Sequence, residues 1–275
     1  MSTYAVILPA AGRSSRFCDK HYKKHLAPLA GQSVWIHAAN ELLAREDVRQ
    51  FIMVVSREDR ENFAGKLKAH GLTQNIELCL GGEERVDSIR NALQQVRSDI
   101  DMVAIHDAAR PCLASAWIDR VFSAAVKHDA AILAVPVAST LKRGQALKRG
   151  QALKRGQALK RGQALKREQA ATNHPNDSDL PDKHRIVETI NRSHLWAAQT
   201  PQVFQRELLL EAYAALQPGD PLPTDDAQLV ERIGKPVVMV EGSPLNLKIT
   251  TQDDLKLAEL ILGLRAESTI TTSPK

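Results

Sequence analysis

The sequence predicts an α/β fold whose sheet is mostly parallel and covered by helices on both faces. Along most of the 275 residues, short aliphatic segments alternate with longer segments in which apolar residues have helical spacing. This alternation is typical of strand-helix-strand units with parallel strands. Apolar residues make up 43% of the chain and aromatic residues 4%, which favours an aliphatic α/β core over an aromatic β-sandwich.

The predicted elements follow one another from the N-terminus. Aliphatic segments predict buried strands at Tyr4–Leu8, Phe51–Val55, Ile76–Leu80, Met102–Ile105 and Ala131–Val135. The spacing of apolar residues between them predicts helices over 33–45, 58–70, 84–97 and 115–128. The last part predicts helices near 205–216 and 225–233, strands near 237–241 and 246–250, and a C-terminal helix from about 252. Such a Rossmann-like arrangement binds ligands beyond the carboxyl ends of its strands.

The loop after the first predicted strand has the composition of a phosphate-binding loop. Ala10, Ala11 and Gly12 are small enough for backbone N–H groups to approach an anion closely. Cations that can neutralise a triphosphate follow at Arg13, Arg16, Lys23 and Lys24. The loop is neither a Walker loop nor the Gly-x-Gly-x-x-Gly of dinucleotide sites. Taken alone, it is equally consistent with a tight turn that carries solvated charges.

A second loop, GGEERVDSIRNAL, follows the third predicted strand. Gly81 and Gly82 permit a positive φ angle, and Ser88 lies about one turn inside the next helix. A glycine turn before a helix with an acidic start also explains this segment. Its place at a strand end adds weight to a ligand-binding interpretation.

A third loop, HDAARPCL, follows the fourth predicted strand. Asp107 comes directly after that strand, where a carboxylate is a suitable ligand for Mg²⁺. Arg110 can hold a phosphate or pair with an acid, and His106 is better explained as a satisfied, half-buried histidine than as a base. Three loops of this kind at three strand ends together favour a phosphate and metal site.

A basic repeat interrupts the chain. The unit Leu-Lys-Arg-Gly-Gln-Ala occurs five times over residues 141–170, with Glu168 in place of the last glycine. The net charge of the chain is +5, but residues 141–167 hold ten of the 37 basic residues, which leaves 27 against 32 acidic residues elsewhere. The positive charge therefore belongs to the repeat and does not indicate a nucleic-acid partner. We expect a solvated insertion, because the leucines form no helical stripe, and weak attraction to polyanions stays open.

The cysteines and the hydropathy exclude several classes of protein. Cys18, Cys79 and Cys112 lie far apart and are odd in number, which argues against a disulfide framework and against a zinc site. No apolar run reaches the roughly 18 residues of a membrane span, and the N-terminus does not read as a signal peptide. We expect a soluble, cytoplasmic protein without a membrane partner.

Seven segments, in order, resemble the methylerythritol phosphate cytidylyltransferase family of the non-mevalonate isoprenoid pathway. They are ILPAAGRSSRF, GGEERVDSI, HDAARPC, VPVASTLKR, ETINRSHLWAAQTPQVF, PTDDA and NLKIT, and the resemblance covers about residues 4–143 and 185–265. The first segment is shared with many nucleotidyltransferases, whereas the complete set is specific. The resemblance implies a Mg²⁺-dependent transfer of CMP from CTP to 2-C-methyl-D-erythritol 4-phosphate, with release of pyrophosphate. It also implies a homodimer held by an extended β-arm.

The resemblance implies a role for individual residues. The CTP-binding residues are Pro9, Ala10, Ala11, Gly12, Gly82, Glu83, Ser88 and Ala108, and the Mg²⁺ ligand is Asp107. The catalytic cations are Arg16, Lys23, Arg192 and Lys248. The acceptor-binding residues are Arg110, Thr140, Arg192, Thr200, Thr224 and Lys248.

The sequence departs from the family's pattern in the nucleotide loops. Ser14 stands where a second loop glycine is common, Tyr22 replaces a proline, and Glu83 takes an aspartate position. Lys23 is preferred to the adjacent Lys24 only by its register against the following His-Leu.

The resemblance also implies an organisation into parts. Residues 1–136 and 191–265 form a single nucleotidyltransferase domain, 137–190 form the dimerisation arm with the repeat insertion at 141–170, and 266–275 form a tail. Two alternatives stay open from the sequence. One is a cytidylyltransferase for another alditol phosphate, such as ribitol 5-phosphate. The other is a non-enzymatic dimer that binds polyanions through the basic arm.

Overall fold

The computed structural model describes residues 2–12, 17, 22–146 and 184–271. The chain divides into two compact units, the first spanning Met1–Val135 with Trp196–Lys275 and the second Pro136–Leu195. The strands, in chain order, are β1 (Tyr4–Pro9), β2 (Pro28–Leu29), β3 (Gln32–Ser33), β4 (Val48–Val55), β5 (Glu77–Leu80), β6 (Met102–Ile105), β7 (Ala130–Pro136), β8 (Leu141–Ala146), β9 (His184–Ile190), β10 (Trp196–Gln205) and β11 (Val238–Glu241). The helices are α1 (Val34–Leu43), α2 (Arg60–Ala69), α3 (Arg85–Leu93), α4 (Ser115–His128), α5 (Arg206–Ala214), α6 (Ala227–Arg232) and α7 (Gln252–Thr271).

A seven-stranded sheet forms the centre of the first unit, with the strand order β11-β7-β10-β6-β1-β4-β5. β1 pairs in parallel with β4 and β6, β4 with β5, and β11 with β7, whereas β10 runs antiparallel to β6. The predicted mostly parallel sheet is therefore confirmed, with one antiparallel strand inside it.

Helices cover both faces of this sheet because successive strand residues point to opposite sides. Val6 and Leu8 of β1 belong to a buried apolar cluster that includes residues of α1 and α4. Ala5 and Ile7 belong to a second cluster, formed with residues of α3 and α5. Each face of the sheet thus has its own apolar core, and the helices on both faces are confirmed.

One segment in the last part of the chain was predicted wrongly from the sequence, and another was missed. The strand predicted near 246–250 is wrong, because the segment is an irregular loop fixed by bonds from the Asn246 N–H to the Ser243 carbonyl (2.9 Å) and from the Ile249 N–H to the Ala109 carbonyl (2.8 Å). β10 was not predicted at all. Its buried half contains Gln199 and Gln202, so it does not show as an aliphatic run.

The second unit contains an antiparallel hairpin of β8 and β9, in which Leu141 lies opposite Ile190. The first copy of the repeat forms β8, at the point where the sequence analysis places the start of the insertion. Side chains of β9 bind both basic residues of this copy. Lys142 donates to the Thr189 hydroxyl (2.6 Å), and Arg143 pairs with Glu188 (3.4 Å). The copies from residue 147 onward lie outside the described residues.

Within the described ranges, no helix combines the length and the hydropathy that crossing a membrane requires. Cys79 and Cys112 are buried free thiols. Cys18 lies outside the described residues.

Candidate active site

The loops that follow β1, β4, β5 and β6 emerge along one edge of the sheet, because these four strands are parallel neighbours. They begin at Ala10, Ser56, Gly81 and His106. This edge is where open α/β sheets bind their ligands. Most of the site residues predicted from the sequence lie on these loops.

The loop after β5 packs closely against the loop after β1. A Cβ atom on Gly81 would lie 2.7 Å from the Cβ of Ala11 and 2.9 Å from the Oγ of Ser88. Both distances are shorter than real Cβ contacts, so only glycine fits at position 81. The Gly82 N–H donates to the Ser88 Oγ at 3.1 Å. The structure thereby brings together Ala11, Gly82 and Ser88, three of the predicted CTP-binding residues.

The first residues of the predicted phosphate loop belong to the sheet or bond to it. Pro9 is the last residue of β1, and the N–H of the buried Ala10 donates to a β4 carbonyl at 2.7 Å. That N–H group is therefore not free to bind a phosphate. Ala11 is half-buried and Gly12 is exposed, so their backbone groups face a more open environment. Arg16 lies outside the described residues.

The first turn of α3 is fixed by a capping box formed by Glu84 and Asp87. The Glu84 N–H donates to Asp87 Oδ2 at 3.2 Å. Glu83 precedes this turn and is exposed. A reciprocal cap of this kind satisfies two backbone N–H groups at the start of the helix. It thereby fixes how the preceding loop enters the helix.

Lys23 is attached to the loop after β4. Its Nζ donates to Asp59 Oδ2 at 2.5 Å and lies 3.6 Å from Glu58 Oε2, while the Ser56 hydroxyl donates to Asp59 Oδ2 at 2.7 Å. Burial by itself raises the pKa of Asp59, but the bonds from Lys23 and Ser56 outweigh it and lower that pKa below its usual value. Lys23 is therefore held at the same edge of the sheet as the glycine loop.

Asp107 is the centre of a charged cluster at the end of β6. Its Oδ2 accepts from Lys248 Nζ at 2.9 Å and from Arg110 Nε at 3.3 Å, and its side chain is 13% exposed. Burial by itself raises the pKa of Asp107, but the charges of Lys248 and Arg110 outweigh it and hold that pKa well below its usual range. The carboxylate is thus ionised at neutral pH and is suited to bind a hard cation.

Asn246, which sequence reasoning missed, joins this cluster to β10. Its carbonyl accepts from Arg110 Nη1 at 2.6 Å, and its Nδ2 donates to the Thr200 carbonyl at 2.8 Å. Asn246 is completely buried. Asn246 is the first residue of the segment NLKIT, and the sequence pointed to it only through Lys248, two residues later. The structure brings together Asp107, Arg110, Thr200 and Lys248, which are the predicted Mg²⁺ ligand and three of the predicted acceptor-binding residues.

His106 is a structural residue of the same cluster. Its Nε2 lies 3.2 Å from the Arg110 carbonyl and its Nδ1 lies 3.0 Å from the Thr200 Oγ1, which also accepts from the Asp107 N–H at 3.0 Å. Burial lowers the pKa of His106 to about 4. The ring is satisfied at both nitrogens, as the sequence analysis favoured, and it is fully rather than half buried.

A second ion pair at this edge, Arg85 with Asp226, was also missed. Arg85 Nη2 donates to Asp226 Oδ2 at 2.5 Å and Nη1 donates to Oδ1 at 3.1 Å. The Tyr213 hydroxyl donates to Oδ1 at 2.6 Å. Thr224 lies two residues before Asp226 and is exposed, and its N–H donates to Gln228 Oε1 at 2.8 Å.

Three further predicted site residues, Ala108, Thr140 and Arg192, divide between the two units. Ala108 is buried directly after Asp107 in the first unit. Thr140 and Arg192 belong to the second unit, where both are exposed and Arg192 Nη1 donates to the Ala138 carbonyl. Their predicted roles in acceptor binding stay predictions.

A separate open cavity of about 570 Å³ has a lining that includes Asp101, Asp129, Gln205 and Arg206. These residues lie at or next to the starts of β6 and β7 and the end of β10, which is the opposite edge of the sheet from Asp107. Of the predicted site residues that the structure describes, none lines this cavity.

The described residues do not include a cluster of three or more His, Cys, Asp or Glu side chains that could hold a metal ion by themselves. Mg²⁺ is commonly held by one or two carboxylates together with substrate phosphates and water. The single ionised carboxylate of Asp107 fits a Mg²⁺ ion that also binds a triphosphate. It does not fit an ion held by protein ligands alone.

Comparison with known proteins identifies the family. The family model described as IspD, 2-C-methyl-D-erythritol 4-phosphate cytidylyltransferase, matches residues 4–161 and 178–264. The chain belongs to this family. Two relatives with this name, from Rhodopirellula baltica and Dictyoglomus thermophilum, are 37% and 36% identical, and each alignment covers at least 94% of this chain and 95% of the relative.

Solved structures of the IspD family have the same fold. A crystal structure of a 4-diphosphocytidyl-2C-methyl-D-erythritol synthase aligns with a TM-score of 0.69 at 28% identity, covering 95% of this chain and 99% of that protein. The Francisella tularensis 2-C-methyl-D-erythritol 4-phosphate cytidylyltransferase aligns with a TM-score of 0.66 at 26% identity, covering 94% and 100%.

Proposed function

We propose that this protein transfers CMP from CTP to 2-C-methyl-D-erythritol 4-phosphate, giving 4-diphosphocytidyl-2-C-methyl-D-erythritol and pyrophosphate in isoprenoid precursor biosynthesis. Family membership over most of the chain supports this reaction. The structural observation that carries it is the cluster at the end of β6, where the carboxylate of Asp107 is flanked by Lys248 and Arg110. This cluster lies along the same sheet edge as the tight glycine loop at Gly81.

The chemistry of the transfer matches the side chains present. The attacking group is a phosphate oxygen that is already ionised at neutral pH, so the reaction needs no general base. His106 agrees with this, because both of its ring nitrogens are used in internal bonds. The site must align two anions and neutralise the charge of the transition state. Lys248 and Arg110 supply positive charge for this purpose, and Lys23 and Arg16 would supply more along the triphosphate.

We propose Mg²⁺ as the cofactor, held by Asp107 and by phosphate oxygens of CTP. When bound, the ion would supply charge neutralisation for the departing pyrophosphate. Lys248 and Arg110 keep the Asp107 carboxylate ionised and fixed at the end of β6. Ala11, Gly82 and Ser88 would lie against the nucleotide, and Thr200 and Thr224 against the acceptor.

We also propose that the protein is a homodimer joined through the β8–β9 hairpin. Ile186 and Val187 of β9 are 60% and 54% exposed, and apolar residues this exposed on a two-stranded hairpin favour a covering partner. For Thr140 and Arg192, which flank β8 and β9 in the sequence, we propose the acceptor-binding roles that the family resemblance implies. The free thiols of Cys79 and Cys112 fit the reducing cytoplasm, our proposed location.

The test is pyrophosphate release with CTP and Mg²⁺, with methylerythritol phosphate and ribitol 5-phosphate offered in parallel. We expect release with methylerythritol phosphate alone. Release with ribitol 5-phosphate alone would keep the mechanism and reassign the acceptor. If a folded protein released pyrophosphate with neither acceptor, the proposed reaction would be wrong, and a polyanion-binding role of the basic repeat would be tested next.

A further inference from the structure

Asp226 is a completely buried carboxylate that side-chain donors bind from two elements. Arg85, the first residue of α3, binds both oxygens of the carboxylate, at 2.5 and 3.1 Å. Tyr213 of α5 donates its hydroxyl to Oδ1 at 2.6 Å. The exposed fraction of Asp226 is 0%, so the carboxylate depends on these protein donors rather than on water.

The backbone around Asp226 is fixed as firmly as its side chain. Oε1 of the buried Gln202 accepts from the N–H groups of Asp226 and Ala227, both at 3.1 Å, and Gln202 Nε2 donates to Asp225 Oδ2 at 2.9 Å. The loop that carries Thr224 is therefore held by β10 on one side and by Arg85 on the other.

The Arg85–Asp226 pair joins two segments that are 141 residues apart in sequence. Arg85 lies three residues after Gly82 and three before Ser88, on the proposed CTP side. Asp226 lies two residues after Thr224, on the proposed acceptor side. The pair therefore links the first turn of α3 directly to the loop that carries Thr224, through side-chain hydrogen bonds.

We propose that Asp226 is a positioning residue, which sets the nucleotide loop and the acceptor loop in register through its paired bonds to Arg85. The inference rests on the proposed cytidylyl transfer. Asp226 does not touch the reacting atoms. It acts through Arg85, whose bidentate geometry restricts both the position and the rotation of the guanidinium.

A purely stabilising role explains this pair poorly. An ion pair that buries a carboxylate often contributes no more to stability than apolar side chains of the same volume, because the buried charge loses its hydration; here Asp226 is fully buried and the Arg85 side chain is 34% exposed. What such a pair provides is orientation. Burial by itself lowers the pKa of Arg85, but Asp226 and also Asp107 raise it above its usual value, so the pair lies within electrostatic reach of the charged cluster.

The test compares Asp226→Asn, Arg85→Gln and the double variant in steady-state kinetics with CTP and methylerythritol phosphate. Each single change should lower kcat/KM by about 10- to 100-fold, the size of effect that follows a shift of about 1 Å in a bound substrate. The loss should show as a higher KM for both substrates. The double variant should be no worse than the poorer single variant, because the two residues act through one contact. Asp226→Glu should recover part of the loss.

The matched control is Asp47→Asn. Asp47 binds Arg45 with the same paired geometry, at 2.8 and 2.9 Å, just before β4 and at the opposite edge of the sheet. This change should lower the melting temperature and leave both KM values unchanged. A merely structural role of Asp226 would give that same result, with less folded enzyme and unchanged KM.

Unchanged KM values, or losses that add in the double variant, would overturn the inference. If Asp226→Asn does not fold, Arg85→Gln alone decides, together with calorimetric titration of CTP in the presence of Mg²⁺. A wild-type protein that neither binds CTP nor turns over would refute the proposed function. Wild-type turnover together with normal variants would refute only the positioning role.

Discussion

Asp107 binds two cations of the charged cluster, and the shorter of these ion pairs is with Lys248, at 2.9 Å. We expect Lys248→Met to lower kcat for pyrophosphate release by about 10²–10³, the loss typical of one oriented charge contact in a transition state. Lys256→Met is the control. Lys256 makes an exposed pair with Asp253 on α7 at 3.0 Å and should turn over normally. Equal rates for the two variants would remove Lys248 from the catalytic set.

Asp59 and Glu58 both face Lys23, but Asp59 is partly buried and Glu58 is exposed. Their side chains are 13% and 87% exposed. We expect Asp59→Asn to lower the free energy of unfolding by about 1.5–3 kcal/mol near neutral pH, the contribution of hydrogen bonds to charged groups. Glu58→Gln should change it by less than about 0.5 kcal/mol. Urea unfolding of both variants measures this difference.

The stability from Asp59 should also depend on pH, with a sign fixed by its pKa. Because the pKa of Asp59 is lower in the folded protein, its contribution is complete above the unfolded value of about 3.9 and is lost as pH falls through the folded value. The deficit of Asp59→Asn should therefore shrink in acid. A deficit that stayed constant down to the lowest pH at which the protein folds would show that Asp59 acts through packing instead.

At the scale of elements, the aliphatic strands were predictable and the polar connections between them were not. β1 and β6 could be predicted because every residue that faces the helices there is apolar. β10 could not, because Gln202 and Thr200 are polar residues that are buried only once their partners arrive from other parts of the chain. Arg85 and Asp226 raise the same difficulty, since no local pattern shows a bond across 141 residues.

The β5–α3 connection offers a direct test of the nucleotide loop. We expect Gly81→Ala to weaken CTP binding by about 10-fold or more, because its Cβ would push Ala11 and Ser88 apart. Gly65→Ala is the control: a Cβ on Gly65, inside α2, meets no atom within 4 Å beyond the backbone of its own helix. Alanine there should stabilise the helix by about 1 kcal/mol and leave CTP binding unchanged. Titration calorimetry and thermal unfolding measure the two effects. Normal CTP affinity in Gly81→Ala would place the nucleotide elsewhere.

For the whole molecule, the repeat dominates the net charge without belonging to the first unit. The chain carries +5, yet the residues outside 141–167 carry 27 basic against 32 acidic side chains. An acidic body with a basic segment behaves differently from a uniformly basic protein, because attraction to polyanions is then confined to one place and falls steeply with salt. Turnover of small anionic substrates depends instead on the local cations of the site.

The first four copies of the repeat are identical, so removing any three leaves the same sequence, LKRGQALKREQA. One copy then still supplies β8, and the shorter connection changes the closure free energy little, by about 0.6 kcal/mol per halving of its length. We therefore expect a variant without 147–164 to keep the pyrophosphate release and the oligomeric mass of the full chain.

A variant without 141–170 lacks β8, the partner of β9, and should lose both the proposed dimer and acceptor affinity. Sedimentation and steady-state kinetics distinguish the two. If removing three copies already abolished turnover, the basic side chains themselves would bind a component of the reaction.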